Sequence, residues 1–352
     1  MANFIQVHFL TSYPPSNLNR DDLGRPKTAY MGGANRLRIS SQSLKRAWRK
    51  SDLFESALAG HVGVRTKLQG VKIYQKFIEK GIPEKQALEW AKTIAKQFGK
   101  EKKAVKDKPL VELEIEQLSH FSPIELAEID KIIDECVASN TKPDEDVLKR
   151  LREKSQAADI ACFGRMLASS PEFNVEAAIQ VAHAITTHAV DIEDDFFTAV
   201  DDLNMGLEDA GAGHLGETEF AAGLFYGYVC IDRDLLYKNL GDDEALTQKT
   251  IAALLECIAK ISPTGKQNSF ASRAYTSYML VEKGNYQPRS LSVAFLKPVK
   301  EKALLDQSIT DFETHRNNID KIYGACYDAS QKLNTLTGEG DFKKLAAFAT
   351  AR

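Results

Sequence analysis

Along Phe4–Leu10 the side chains alternate. Ile5, Val7 and Phe9 point one way, and Phe4, Gln6, His8 and Leu10 point the other. A period of two predicts a β-strand with one apolar and one mixed face, on which His8 reads as structural. Thr11–Gly33 is rich in Pro, Asn, Asp and Gly and reads as a long loop. Arg36–Ile39 predicts a short strand with Leu37 and Ile39 on one side and Arg36 and Arg38 on the other. From about Ser51 to Pro171 the period becomes helical, with amphipathic runs at Glu84–Phe98 and Ser122–Val137 and a solvated loop at Lys100–Lys108. Val175–His188 then reads as a largely apolar helix, and Asp191–Glu219 as an acidic, glycine-dotted stretch. Phe220–Asp232 is aromatic and β-like, Thr247–Ile261 helical, and Ser290–Phe295 a strand. Strand and helix elements bracketing a helical insert argue an α+β fold.

The 352 residues allow two domains, or one domain carrying a large insertion. With 43% hydrophobic and 27% charged residues, a buried core is expected rather than disorder. Cys136, Cys162, Cys230, Cys257 and Cys326 are widely spaced, with no CxxC pair, and read as reduced thiols rather than a zinc ribbon. Two long runs lack Asp, Glu, Lys and Arg: Met1–Asn19, which is broken by Pro14 and Pro15 and carries Gln6, His8, Thr11 and Ser12, and the 14-residue Ala177–Val190, which is too short; neither reads as a spanning helix. Met1-Ala2-Asn3 leads straight into the first strand with no basic and apolar leader, so a cytoplasmic, membrane-free protein is expected.

The net charge of -3 excludes a uniformly basic coat, but it hides strong regional imbalance. Residues 20–50 hold nine Lys/Arg against two Asp/Glu, and residues 65–108 hold thirteen against five. Residues 166–232 hold no Lys or Arg against thirteen Asp/Glu. Folding could interleave these segments. Alternatively, the molecule has a basic groove and an acidic projection, able to hold a polyanion and to stack head-to-tail on its own copy.

The most informative stretch is RISSQSLKRAWRK, Arg38–Lys50. Ser40 and Ser41 are good N-caps between a strand and a helical run. At about 100° per residue, Lys45, Arg46, Arg49 and Lys50 occupy one arc of about 140°, and Leu44, Ala47 and Trp48 fill the opposite side. The helix start adds free N–H groups and the positive end of its dipole, and Ser41, Gln42 and Ser43 add side-chain donors. This is a surface for phosphates with no device for reading bases. Arg20, Arg25, Lys27, Arg36 and Arg38 stand close in sequence. Catalytic signatures are missing: there is no GxxxxGK[ST], GxSxG or HExxH. His183 and His188, five apart, would sit about 140° apart on a helix. With Asp191, Asp194 and Asp195, His188 supports a rival reading as a metal-dependent ribonuclease. A helical adaptor binding an acidic protein is a third reading.

These segments also carry a resemblance. NRDD (Asn19–Asp22), Gly32-Gly33, RISSQSLKRA (Arg38–Ala47), GRM (Gly164–Met166), AHAITTH (Ala182–His188), FTAVDD (Phe197–Asp202) and HLG (His214–Gly216) occur in this order in the CasC-type backbone subunit of the type I-E CRISPR Cascade complex, which the chain resembles over about residues 3–230. The resemblance implies an RRM-like (ferredoxin-like) palm at 1–54, 181–190 and 223–352. It also implies a helical fingers insertion at 55–180 and a β-hairpin thumb at 191–222. It implies a non-catalytic protein without cofactor or metal that binds CRISPR RNA. Its copies would stack head-to-tail along the guide beside other Cascade subunits, kink it at intervals and present bases to target DNA. By matching position, Arg20, Lys27, Ser40, Gln42, Lys45, Arg46 and Arg49 would contact phosphates, and Met166 would wedge beside a base. Phe197 and Leu215 would belong to the thumb, and Lys266 and Gln267 to a loop near the RNA.

Overall fold

The computed structural model describes residues 3–108, 110–152, 157–199, 214–300 and 302–351. The chain divides into two compact units, one formed by residues 1–54, 181–231 and 251–352, the other by residues 55–180 and 232–250. Among the described residues, no helix is long and apolar enough to cross a membrane.

The first unit is built on a mostly antiparallel sheet. Its strands include β1 (Phe4–Ser16), β2 (Thr28–Met31) and β3 (Ala34–Ile39). The spatial order is Ala329–Asn334, Tyr278–Gly284, β1, His214–Asp232, Ala184–Thr186, β3, β2. Ile5–Leu10 of β1 is buried on both faces, the mixed face included. Its polar members persist because they are paired. His8 Nδ1 lies 2.9 Å from the Tyr226 hydroxyl. Gln6 Oε1 accepts from Tyr228 Oη at 3.1 Å and from the Arg289 N–H at 2.8 Å. Register places His8, Leu10, Tyr278, Leu280 and Glu282 on one face. There they join Tyr226, Tyr228, Leu291, Phe295 and Phe312 in one apolar cluster, Phe312 coming from the helix Leu304–Tyr323 that covers this face. Glu282, in the same layer, accepts from Arg289 Nη1 at 2.5 Å and from Arg316 Nε at 2.7 Å.

Several expected elements change. Thr11–Gly33 is not one loop, because β1 runs on to Ser16 and Thr28–Met31 pairs with β3. Gly32 and Gly33 close that hairpin with φ of 60° and 79°, the conformation of a two-residue turn that favours glycine. A Cβ on Gly32 would fall 1.5 Å from the Leu296 carbonyl oxygen. Val175–His188 is not a helix but holds the short strands Ile179–Val181 and Ala184–Thr186. A brief apolar run does not by itself distinguish buried strand from buried helix. Ser290–Phe295 is not a strand either. Ser292–Phe295 forms a 3-10 turn that sends Leu291 and Phe295 into the core, with the Leu291 N–H donating to Tyr226 Oη at 3.0 Å.

The second unit is helical in its main layer. Gln69–Glu79, Glu84–Ala95 and Pro123–Ser139 bury Ile73, Phe77, Trp90, Ile94, Ile129, Ile132 and Ile133 in one cluster. Pro123–Ser139 starts with a full capping box: Glu125 N–H donates to Ser122 Oγ at 3.1 Å, and Ser122 N–H donates to Glu125 Oε2 at 2.7 Å. Pro123 at the first helical position needs no N–H partner there. Arg165 closes on the same carboxylate with both nitrogens at 2.8 Å.

Candidate nucleic-acid interface

The strand β3 feeds directly into α1 (Ser41–Arg49). Ser40 caps it, its Oγ accepting from the Ser43 N–H at 3.3 Å. Leu44 and Trp48 are buried, and Ser51 Oγ beyond the helix end lies 3.4 Å from Cys257 Sγ. The opposite arc carries the cations: Arg46 and Lys50 are exposed, Lys45 and Arg49 half-buried. Burial lowers the Lys45 ammonium below its ordinary value. Gln42 is exposed beside them, whereas Ser40 is buried and committed to the cap.

The segment Asn17–Lys27 is tied to the start of this helix. Asn19 Oδ1 accepts from the Ser40 N–H at 2.8 Å, and the Lys27 N–H donates to the Asn19 carbonyl at 2.8 Å. Asn17 Nδ2 donates to the carbonyls of Gly24 and Glu219, both at 2.9 Å, and Arg25 Nε lies 2.9 Å from Glu219 Oε1. The anchoring roles of Asn17 and Asn19 escaped the sequence reading, which took the segment as loop. Two asparagines in a loop followed by strand residues were the available signal, since their amides can replace missing backbone partners. Arg20 is exposed on this segment. The third contributor is Gly265-Lys266-Gln267. A Cβ on Gly265 would lie 2.4 Å from the Leu18 carbonyl oxygen. Lys266 takes a left-handed conformation, and its Nζ bonds Thr218 Oγ1. The Gln267 amide is spent inside its own loop, donating to Pro263 O at 2.9 Å and lying 3.1 Å from Ser272 Oγ.

Charge pairing separates the two basic regions. In the second unit Lys80, Lys92, Lys96, Lys100 and Lys102 lie 2.6–3.4 Å from Asp134, Glu112, Glu101, Glu116 and Glu114, and Lys76 pairs with Asp130. Interleaving thus neutralises much of residues 65–108. Around α1, among the described residues, Arg20, Lys27, Arg38 and Arg46 meet no carboxylate. Arg36 does not belong to this set. It is fully buried, with Nη1 donating to Thr186 O and Nη2 to Phe295 O, both at 2.8 Å.

The acidic stretch contains an antiparallel hairpin between Glu193–Ala199 and the first residues of the long strand His214–Asp232, which continues into the sheet. Phe197 stands opposite Gly216, and a Cβ on Gly216 would fall 2.2 Å from its ring. The ring therefore lies across the glycine and is 45% exposed, while Phe196 on the other face is 65% exposed. Leu215 pairs with Thr198, and its side chain lies outside the described residues. Residues 200–213, including the second half of the FTAVDD motif, also lie outside them. Met166 belongs to the second unit, where it is 76% exposed and its carbonyl accepts from Gln117 Nε2 at 2.7 Å.

The ribonuclease cluster does not assemble as the helical reading required. His188 Nδ1 lies 2.8 Å from the Ala189 carbonyl, and Nε2 accepts from the Leu224 N–H at 3.2 Å, so both ring nitrogens face backbone groups. Asp194 and Asp195 are adjacent on a strand and point to opposite faces. Among the described residues no group of three His, Cys, Asp or Glu side chains converges on a point.

A solved structure titled "CRISPR RNA-guided surveillance complex, pre-nicking" contains a chain 29% identical to this one, with a TM-score of 0.84 and 98% of each chain covered. A second, titled "CRISPR RNA-guided surveillance complex", shares the fold at 22% identity and a TM-score of 0.75, with 99% of each chain covered. No curated protein matches significantly. The family model described as CT1975-like protein matches residues 5–350, nearly the whole chain, and the chain belongs to that family of Cas proteins.

Proposed function

We propose that this chain is a CRISPR RNA-binding backbone subunit of a type I-E Cascade complex. It holds the guide by its phosphates, stacks head-to-tail with its own copies beside other Cascade subunits, and leaves bases open to target DNA. The observation that carries the reading is that Arg20, Lys27, Arg38 and Arg46, among the described residues, meet no carboxylate beside a neutral, donor-rich helix start. Like charges left facing water favour an anionic ligand, and a helix N-terminus adds N–H donors for it. Arg20, Lys27, Gln42, Lys45, Arg46 and Arg49 grip phosphates, and Ser40 and Lys266 hold the surface in shape. Met166, Phe197 and Leu215 act on bases from the fingers and the thumb.

An RRM-like palm is supported by strand order. In chain order β1, α1, Ala184–Thr186, His214–Asp232, the helix Glu244–Lys260 and Tyr278–Gly284 form a βαββαβ series. Its strands lie side by side as Tyr278–Gly284, β1, His214–Asp232, Ala184–Thr186. The sheet face that an RRM would offer to RNA is covered here by Leu304–Tyr323, which favours the α1 surface as the RNA site. We assign residues 55–180 to fingers and 191–222 to the thumb. We take the subunit to be cytoplasmic and non-cleaving, a reading supported by the backbone bonds of His188, which leave neither ring nitrogen open to a metal.

The test is purification of the intact protein with its RNA. The reading expects a nucleic-acid absorbance signature and nuclease protection at regular intervals, with no cleavage on adding magnesium or manganese. A nucleic-acid-free monomer would support the adaptor instead, and metal-dependent cleavage lost in Asp194→Asn would support the nuclease.

A further inference from the structure

His183 stands in the turn before the strand Ala184–Thr186 and is exposed. Arg38 pairs with Ile185 across the sheet, so Arg38 and His183 share a face. Arg38 Nη1 lies 3.0 Å from His183 Nδ1. A guanidinium only donates, so Nδ1 is the acceptor and the ring proton sits on Nε2. On the hairpin side Arg38 lies opposite Lys27, and its N–H donates to the Lys27 carbonyl at 2.8 Å. Two cations face each other across β2 and β3, a placement that repels. Among the described residues neither meets a carboxylate.

We propose that Arg38 and His183 form a second phosphate-binding site, bordered by Lys27 of the first, which takes a neighbouring phosphodiester of the RNA strand held on α1. The inference rests on the RNA-binding reading above. Arg38 keeps four of its five N–H donors for the ligand, Lys27 adds charge, and His183 adds its Nε2–H. An anion here relieves the repulsion that the free protein carries. It also changes the state of the imidazole. Burial, then Arg38, then Lys27 lower the His183 pKa in the free protein. A bound phosphate opposes those charges and raises it; the proton goes to Nδ1, which gives up its bond from Arg38 Nη1 and frees that donor for the phosphate, so binding takes up a proton and strengthens as the pH falls. Lys27 and Arg38 are the charged groups that act on the ring.

Fluorescence anisotropy with a labelled single-stranded RNA tests the site in the full-length protein. Between about pH 8 and pH 6 the wild type should gain roughly three- to tenfold in affinity. His183→Gln should lose the gain between the two pH values. Arg38→Ala should flatten the log–log salt dependence by about 0.7, and Arg38→Lys should restore it. His183 is exposed, so His183→Gln reports on the site even if Arg38→Ala lowers stability. Retention of the pH effect in His183→Gln, or of the full salt slope in Arg38→Ala, overturns the proposal. Lys45→Ala with Arg46→Ala separates the two levels. If it weakens binding, the α1 reading stands whatever becomes of the second site; if it does not, the RNA reading falls and this site with it.

Discussion

Replacing Lys45 and Arg46 together by alanine removes two adjacent cations from the arc of α1 and leaves Leu44 and Trp48, which anchor the helix, in place. Each cation that neutralises a phosphate of a single strand contributes about 0.7 to the slope of log affinity against log salt. The double variant should therefore lose about 1.4 from the slope. Extrapolated from parity near 1 M salt, the loss reaches about 25-fold at 0.1 M. The loss should be equal for unrelated RNA sequences, since phosphates carry no sequence. A salt titration followed by anisotropy measures both quantities. Arg36→Met is the matched control on the preceding strand. It leaves the carbonyls of Thr186 and Phe295 without their buried donor, at about 1–3 kcal/mol each, so it should lower the melting temperature and spare the slope of the folded protein. An unchanged slope in the double variant, or a loss confined to one RNA sequence, refutes the phosphate cradle.

Glu282 makes stability depend on acid. Burial alone would raise its carboxyl, but the His8 ring and the Arg289 guanidinium overrule burial and hold it at about 2. A depressed carboxylate stabilises fully above its ordinary value near 4.5 and loses that contribution as pH falls from there toward 2. The contribution is about 3 kcal/mol, and urea unfolding across that window should show it in wild type and not in Glu282→Gln. Gly32→Ala should cost roughly 2 kcal/mol or more, because its Cβ would overlap the Leu296 carbonyl at a residue with φ of 60°; a thermal melt like wild type would contradict this. Phe197→Ala should keep subunit stacking and alter the nuclease footprint on bound RNA. Gly216→Ala, which displaces the Phe197 ring, should alter it in the same way, and an unchanged footprint in both would remove this ring from the mechanism.

The helix α1 was legible because three signals coincide in thirteen residues: serines at a strand end, apolar positions on one side and cations on the other. The helices Glu84–Ala95 and Pro123–Ser139 were legible through their amphipathic period; the capping box of Ser122 and Glu125 that opens the second was an unused signal. The sheet was harder to read. β1 showed itself by alternation over Phe4–Leu10, but Tyr278–Gly284 is buried almost throughout, so the alternation that marks a half-buried strand is blurred there. Ala184–Thr186 is too short for any period to declare itself, and the helical reading of that run hid the partnership of His183 with Arg38. Arg36 and Arg38 look equivalent by alternation, since both lie on one face of β3. Only the tertiary fold distinguishes them, by laying Phe295 and Leu296 over Arg36 and leaving Arg38 at the margin. The charge imbalance of residues 20–50 and 65–108 was visible in composition, but which of them finds carboxylates is decided by long-range packing.

The central claim is that a sugar-phosphate chain lies on the surface formed by Asn17–Lys27, α1 and the Gly265 loop. Photocrosslinking of the intact ribonucleoprotein through 4-thiouridine, followed by mass spectrometry of the peptides, tests it directly. The account predicts crosslinks in peptides covering residues 17–50 and 265–270. Crosslinks confined to the helices Leu304–Tyr323 and Phe342–Thr350, with none in those peptides, would contradict it.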